Sequence, residues 1–229
     1  MEEGADLADP VDLVGLLGSV YRLVTDAVTG LEPRDLLRPT RTDAWSVQDL
    51  LFHLLLDAQR ALMTFASPTA APADVDAVTY WRPFRPDQGD GGAAHARFVR
   101  VASAAYSDPT QLVGHWRDTA EAAVRAAGAA GEGRFETQGH VLEAADFVST
   151  LVVEATVHYL DLTVDLSAPR PPDEALRVVR GVLDGLLGEP AAAAWDDTEY
   201  ALKGTGRLPL TDADRTSLAG QADRVPLLG

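Results

Sequence analysis

Apolar residues recur at intervals of three and four along four long stretches of this 229-residue chain, the period of a helix that buries one face. The first stretch carries Val11, Val14, Leu17, Tyr21, Val24 and Val28. Asp9-Pro10 predicts its start, because Asp caps a helix and Pro is pre-set for helical φ in the first turn; Gly30 and Pro33 stop it. The second opens at Trp45-Ser46, with Ser46 and Asp49 spaced as a capping box, and runs through Leu50, Leu51, Leu54, Leu55, Ala58 and Leu62 to about Phe65. Asp108-Pro109 starts the third, which turns Leu112, Val113, Trp116, Ala120, Ala123 and Val124 inward and ends near residue 128. The fourth covers about 143–166. Its Val152, Val153 and Val157 would also suit a strand, but its length and the spacing of Phe147, Leu151, Glu154 and His158 favour a helix.

Between the second and third stretches, residues 67–92 form a long Pro/Gly/Asp-rich loop, followed by a shorter helix over about 93–106. Loops of this length inside a domain are uncommon. Tyr80-Trp81-Arg82-Pro83-Phe84-Arg85 is too aromatic for a free linker and is expected to be pinned onto the body. Pro169, Pro171 and Pro172 mark a boundary, after which a helix is predicted over 173–187, a short strand within Tyr200–Arg207 and a short helix from Thr211 to Gln221. The expected fold class is all-α. It comprises a four-helix bundle over residues 9–168 and a small C-terminal α or α/β appendage over 172–229.

A hydrophobic content of 46% supports a sizeable core, and 35 Asp and Glu against 19 Lys and Arg give a net charge of −16. That charge repels phosphate backbones and anionic membranes, so neither nucleic acid nor membrane is an expected partner. No apolar run approaches the roughly 20 residues needed to cross a bilayer. The acidic N-terminus lacks the basic start and apolar run of a signal peptide, and a soluble cytoplasmic protein is expected, as a monomer or a homodimer. The absence of cysteine removes disulfides, thiolate ligands and a nucleophilic Cys.

The candidate chemistry is concentrated in the second and fourth helices. Glu154 and His158 lie four residues apart on one helical face, with no Lys or Arg between residues 141 and 169 to neutralise the carboxylate. Two readings satisfy them. They form a buried ion pair, or they share a divalent metal with His53, which sits among Leu50, Leu51, Leu54 and Leu55. His53 by itself fits a core histidine. A His2Glu set suits zinc with one coordination position open, the arrangement of a catalytic site. Asp49, Asp57 and Asp161 are the acids near enough in sequence to accept the second N–H of a ligand histidine, or else are solvated acids of a helix face. Arg82 and Arg85 can receive carboxylates of a cofactor or substrate, or are surface arginines of the loop. His95, His115 and His140 have no partners at ligand spacing and are expected at the surface or in packing.

Trp45 to Asp57, followed by Glu154-Ala-Thr-Val-His158-Tyr-Leu-Asp161, resembles the DinB/YfiT-like superfamily. More narrowly, it resembles the actinobacterial mycothiol-dependent maleylpyruvate isomerase-like proteins. The resemblance runs from about residue 10 to the end and takes in Tyr80-Trp81-Arg82, His115-Trp116-Arg117 and Leu202-Lys-Gly-Thr-Gly-Arg207. It implies an up-down four-helix bundle with one metal, usually zinc, on His53, Glu154 and His158. It also implies mycothiol as a cofactor and an arginine from the C-terminal region in catalysis, for which Arg207 and Arg224 are the candidates. A chain without cysteine can still perform thiolate chemistry if the thiol arrives as a cofactor, since a metal lowers the pKa of a coordinated thiol from about 8.5. The expected function is therefore a zinc-dependent, thiol-using isomerase or S-transferase acting on an electrophilic small molecule. The competing readings are a metal-dependent hydrolase and a non-enzymatic stress or regulatory bundle. A metal walled into an open cleft by the 67–92 loop and the C-terminal appendage favours an enzyme; a sealed metal favours the structural class.

Overall fold

The computed structural model describes residues 12–84 and 91–228. Among these residues eight α-helices follow in order: α1 (Leu13–Val28), α2 (Val47–Phe65), α3 (Gly91–Ser103), α4 (Pro109–Ala130), α5 (Ala144–Leu162), α6 (Asp173–Leu187), α7 (Asp197–Gly204) and α8 (Asp212–Leu218). A two-stranded sheet, β1 (Arg134–Thr137) and β2 (His140–Glu143), stands between α4 and α5. The described helix α1 is capped by Asp12, whose carboxylate accepts the Gly15 N–H at 2.9 Å. The expected start at Asp9-Pro10 lies outside the described residues.

α1 and α2 each pack against both α4 and α5. Their shared core contains Leu17, Val24, Leu51, Leu55, Trp116 and Phe147, all buried, and it continues into Leu176, Leu183 and Tyr200 of α6 and α7. Trp116 meets Tyr21 edge-on at 5.1 Å and donates its indole N–H to Thr25 Oγ1 at 3.0 Å. α5 is covered by α1 and α2 and also by α6 and α7. That explains its sequence: Leu151, Val152, Val153, Ala155, Val157 and Tyr159 are all buried, because a helix enclosed on most sides has no wide polar face.

Two elements differ from the sequence expectation. The sheet was not anticipated in an all-α chain. It is an antiparallel hairpin closed by Gln138-Gly139, both at positive φ (49° and 81°), as a two-residue primed turn requires. Thr69 N–H donates to the Arg134 carbonyl and Asp74 N–H to the Val141 carbonyl, so the hairpin fixes the start of the long loop. Farther along that loop Tyr80 and Trp81 are buried in a single 3-10 turn, Thr79–Trp81. The strand expected within Tyr200–Arg207 is instead α7 and the turn that ends it. Asp196 caps this helix by accepting the Glu199 N–H at 2.8 Å, and Lys203 pairs with Glu199 one turn earlier. Among the described residues the regular elements of the C-terminal region are all helices.

Candidate metal centre and its cavity

α2 and α5 face each other at the level of His53 and Glu154. The capping box at Ser46 sets where α2 begins: Ser46 Oγ accepts the Asp49 N–H and the Asp49 carboxylate accepts the Ser46 N–H. Asp49 also accepts the Ser103 hydroxyl of α3, so its carboxylate serves the cap and the α3 contact. Two turns beyond the cap, His53 Nε2 lies 3.0 Å from Glu154 Oε1. His158 Nε2 reaches the same oxygen at 3.3 Å from one turn along α5. The three ligand atoms lie within 4.8 Å of one another and could hold a metal ion. Two corners of a tetrahedron with zinc bonds of 2.0–2.1 Å are about 3.3 Å apart, close to the separation of each histidine nitrogen from Glu154 Oε1.

The carboxylate has no Lys or Arg partner among the described residues; its neighbours are the two imidazoles. Burial disfavours its charged form, yet His158 and His53 hold its pKa well below the ordinary glutamate value. Burial also works against a charged His158, but Glu154 and then Asp161 outweigh it and push the pKa up to about 9. Asp161 is fully buried and accepts from three sides. His158 Nδ1 lies 3.0 Å from its Oδ2, Thr42 Oγ1 donates at 3.2 Å and Arg207 Nε donates at 3.2 Å. Arg207 Nη1 donates to the Thr205 carbonyl at 2.9 Å, which ties the C-terminal segment to the same chain of contacts.

Asp57 lies one turn after His53 but turns elsewhere. It takes both Nε and Nη2 of Arg60, at 3.2 and 2.9 Å. The partner of His53 Nδ1 is His95 of α3, whose Nε2 lies 3.2 Å away. His95 is exposed, within the expectation of a surface or packing residue, but it was expected to have no partner and instead touches the site. No sequence spacing connects α3 to α2 in register, so nothing before the structure pointed to it.

The trio opens into a cavity of about 930 Å³. Trp81, Pro83 and Phe84 of the loop, Arg207 and Leu228 of the C-terminal segment, and Asp57 and Arg60 of α2 line it. Arg82 is exposed and is not among the lining residues, and Arg85 lies outside the described residues. Arg60 is the lining residue that sequence reasoning passed over, because an Asp and Arg three apart look like an ordinary surface pair. Its Nη1 and the indole N–H groups of Trp45 and Trp81 are buried without a hydrogen-bond partner among the described residues. All three belong to residues of the cavity wall, and all three are donors.

A helical protein with two histidines and a glutamate converging from facing helices into a cavity matches the DinB-like class. The chain belongs to the mycothiol maleylpyruvate isomerase N-terminal domain family, whose model matches residues 18–163, a span that holds all three residues of the trio. No curated protein and no solved structure matches the chain. No described helix is long and apolar enough to cross a membrane.

Proposed function

We propose that the protein is a metal-dependent, mycothiol-using isomerase or S-transferase, with α1, α2, α4 and α5 as the up-down bundle of its family. His53, Glu154 and His158 would hold the ion, taken to be zinc. The single observation that carries this reading is that the trio lies at the wall of a large cavity and is not sealed in the core. A purely structural site has all its positions filled by protein ligands, whereas three ligands beside open space leave one for a small molecule. When bound, the metal stabilises the deprotonated thiol, and the thiol supplies the nucleophilic sulfur that a cysteine-free chain lacks.

The chain's own residues supply orientation and charge. Asp161 fixes the ring of His158, and Arg207 fixes Asp161. Arg207 is proposed as the catalytic arginine, since it lines the cavity and can donate to negative charge developing on an electrophilic substrate. The unpartnered donors of Arg60, Trp45 and Trp81 favour a ligand rich in acceptor oxygens. Among the described residues Arg60 and Arg207 are the guanidinium groups within the wall, and Arg82 outside it is left to any part of a cofactor that extends beyond the mouth. Trp81, Phe84, Val153 and Val157 contribute to the apolar part of the wall and limit water around the reacting atoms.

Titrating cobalt-substituted protein with mycothiol tests the reading. A new sulfur-to-cobalt absorption band at stoichiometric thiol is expected. An unchanged spectrum at saturating thiol would transfer the site to hydrolytic or non-enzymatic use.

A further inference from the structure

We propose that His95 is a positioning residue of the metal site, a neutral hydrogen-bond acceptor that holds His53 with Nε2 turned toward Glu154. This rests on the metal reading above. A neutral imidazole has one donor and one acceptor nitrogen. His53 Nε2 faces the Glu154 oxygen that His158 Nε2 also reaches, so its lone pair is the one available to a metal. The proton then sits on Nδ1, and the atom 3.2 Å from it is His95 Nε2, which must offer its lone pair. His95 therefore carries its own proton on Nδ1.

His95 is held in place by the way α3 docks. His95, Val99 and Ser103 recur every four residues and form one stripe of that helix. Val99 is fully buried, and Ser103 is buried with its carbonyl accepting Gln48 Nε2 of α2 at 2.8 Å. Phe98 adds a ring contact to Phe52 of α2. The stripe thus fixes the helix against α2 at one end and delivers His95 to His53 at the other. The His95 ring meets His53 edge-on at 5.3 Å, while Trp45 packs 5.1 Å from His53 and 6.0 Å from His95. His53 is clamped between an aromatic ring and a specific acceptor.

Metal-ligating histidines commonly give their second N–H to a carboxylate or carbonyl, and His158 does so with Asp161. His53 gives its N–H to an uncharged ring, so its half of the site gains orientation without an added negative charge. The chain therefore assigns one charged and one neutral outer partner to the two histidines. His95 has not been placed by any spacing rule and would be invisible to a search for carboxylates near His53.

The test is zinc affinity by chelator competition for wild type, His95→Leu and His95→Gln, with melting of the three metal-free proteins measured alongside. Glutamine can place its side-chain oxygen where Nε2 lies. His95→Leu is expected to bind zinc about 10–100-fold more weakly, the usual loss for an outer partner, and His95→Gln to recover most of it. The metal-free proteins should melt together, because His95 is exposed. Leucine at wild-type affinity, or glutamine as weak as leucine, would overturn the assignment while leaving the metal reading standing. A wild-type protein that takes up no zinc would overturn both.

Discussion

His158 sits in a run of fixed charges, its Nδ1 on Asp161 and Asp161 in turn on Arg207 and Thr42, whereas His53 rests its Nδ1 on another imidazole at the exposed side of α3. The difference follows from where the two helices lie. α5 is enclosed by α1, α2, α6 and α7, so a charge placed on it must be paired, along the helix itself in Glu154–His158 and His158–Asp161 and from a distant segment by Arg207. Both helices border the cavity, but His158 is buried there and His53 only half-buried, so water and ligand can share the task of solvating His53. The α5 side of the site is thus preset by the fold, and the α2 side is adjustable.

Removing the group the two sides share should have the largest effect. Glu154→Gln keeps the side chain's shape and deletes the charge that both histidines face. Metal analysis of the purified variant should find no stoichiometric ion, against about one per chain in wild type. A fully loaded variant would mean that the trio is an ion pair and not a metal site.

The α5 side should break more severely than the α2 side. Asp161→Ala leaves the largely buried Arg207 guanidinium and the buried His158 without their shared acceptor. Breaking a buried pair from one side typically costs about 3–5 kcal/mol. Urea unfolding of the metal-free variant should show a loss of that order, where His95→Leu shows little. Equal stabilities for the two variants would erase the asymmetry.

The pH dependence sharpens the comparison through His158. In the metal-free protein Glu154 and Asp161 hold His158 up at about 9, against an ordinary 6.5. A raised histidine pKa contributes stability that is fully present below about 6.5 and is lost as pH rises through about 9. A metal needs the neutral ring, so binding expels the proton. Zinc affinity should therefore rise about tenfold per pH unit from neutrality and level off above about 9, while metal-free stability falls over the same window. Calorimetric titrations at several pH values read both slopes. A flat affinity between neutrality and 9 would remove His158 as the proton that is displaced.

How much of this was legible beforehand depended on whether the signal lay within one element. Glu154 and His158 share a helix face, and an unpaired carboxylate among Val153, Val157 and Leu151 draws attention without any knowledge of neighbours. The same logic made Asp161 a candidate three residues after His158. Asp57 lies one turn after His53 yet turned to Arg60, because proximity in sequence does not decide which of two nearby donors an acid meets. His95 depended on how a separate helix docks across an intervening loop, which no periodicity encodes. The hairpin had a usable sign in Gln138-Gly139, but strands of four residues are too short to show alternation. A short strand was expected within Tyr200–Arg207, although Asp196 as cap and the Glu199–Lys203 spacing carried a helical signal.

The smallest expected effect lies on a third part of the wall, away from the hydrogen bonds of either histidine. Tyr80 donates its hydroxyl to the Gln138 side-chain oxygen, linking the loop to the hairpin turn. Burial first, with help from Asp57 and Glu154 and against Arg60, pushes its pKa up to about 12, so it remains a donor across the accessible range. Tyr80→Phe keeps the buried ring and removes one neutral hydrogen bond, a loss of about 1 kcal/mol. Zinc affinity and its pH slope should be unchanged, since the bond touches neither histidine. A weakened metal site in Tyr80→Phe would mean that the loop wall and the trio are coupled, and that the division into a preset α5 side and an adjustable α2 side is drawn too narrowly.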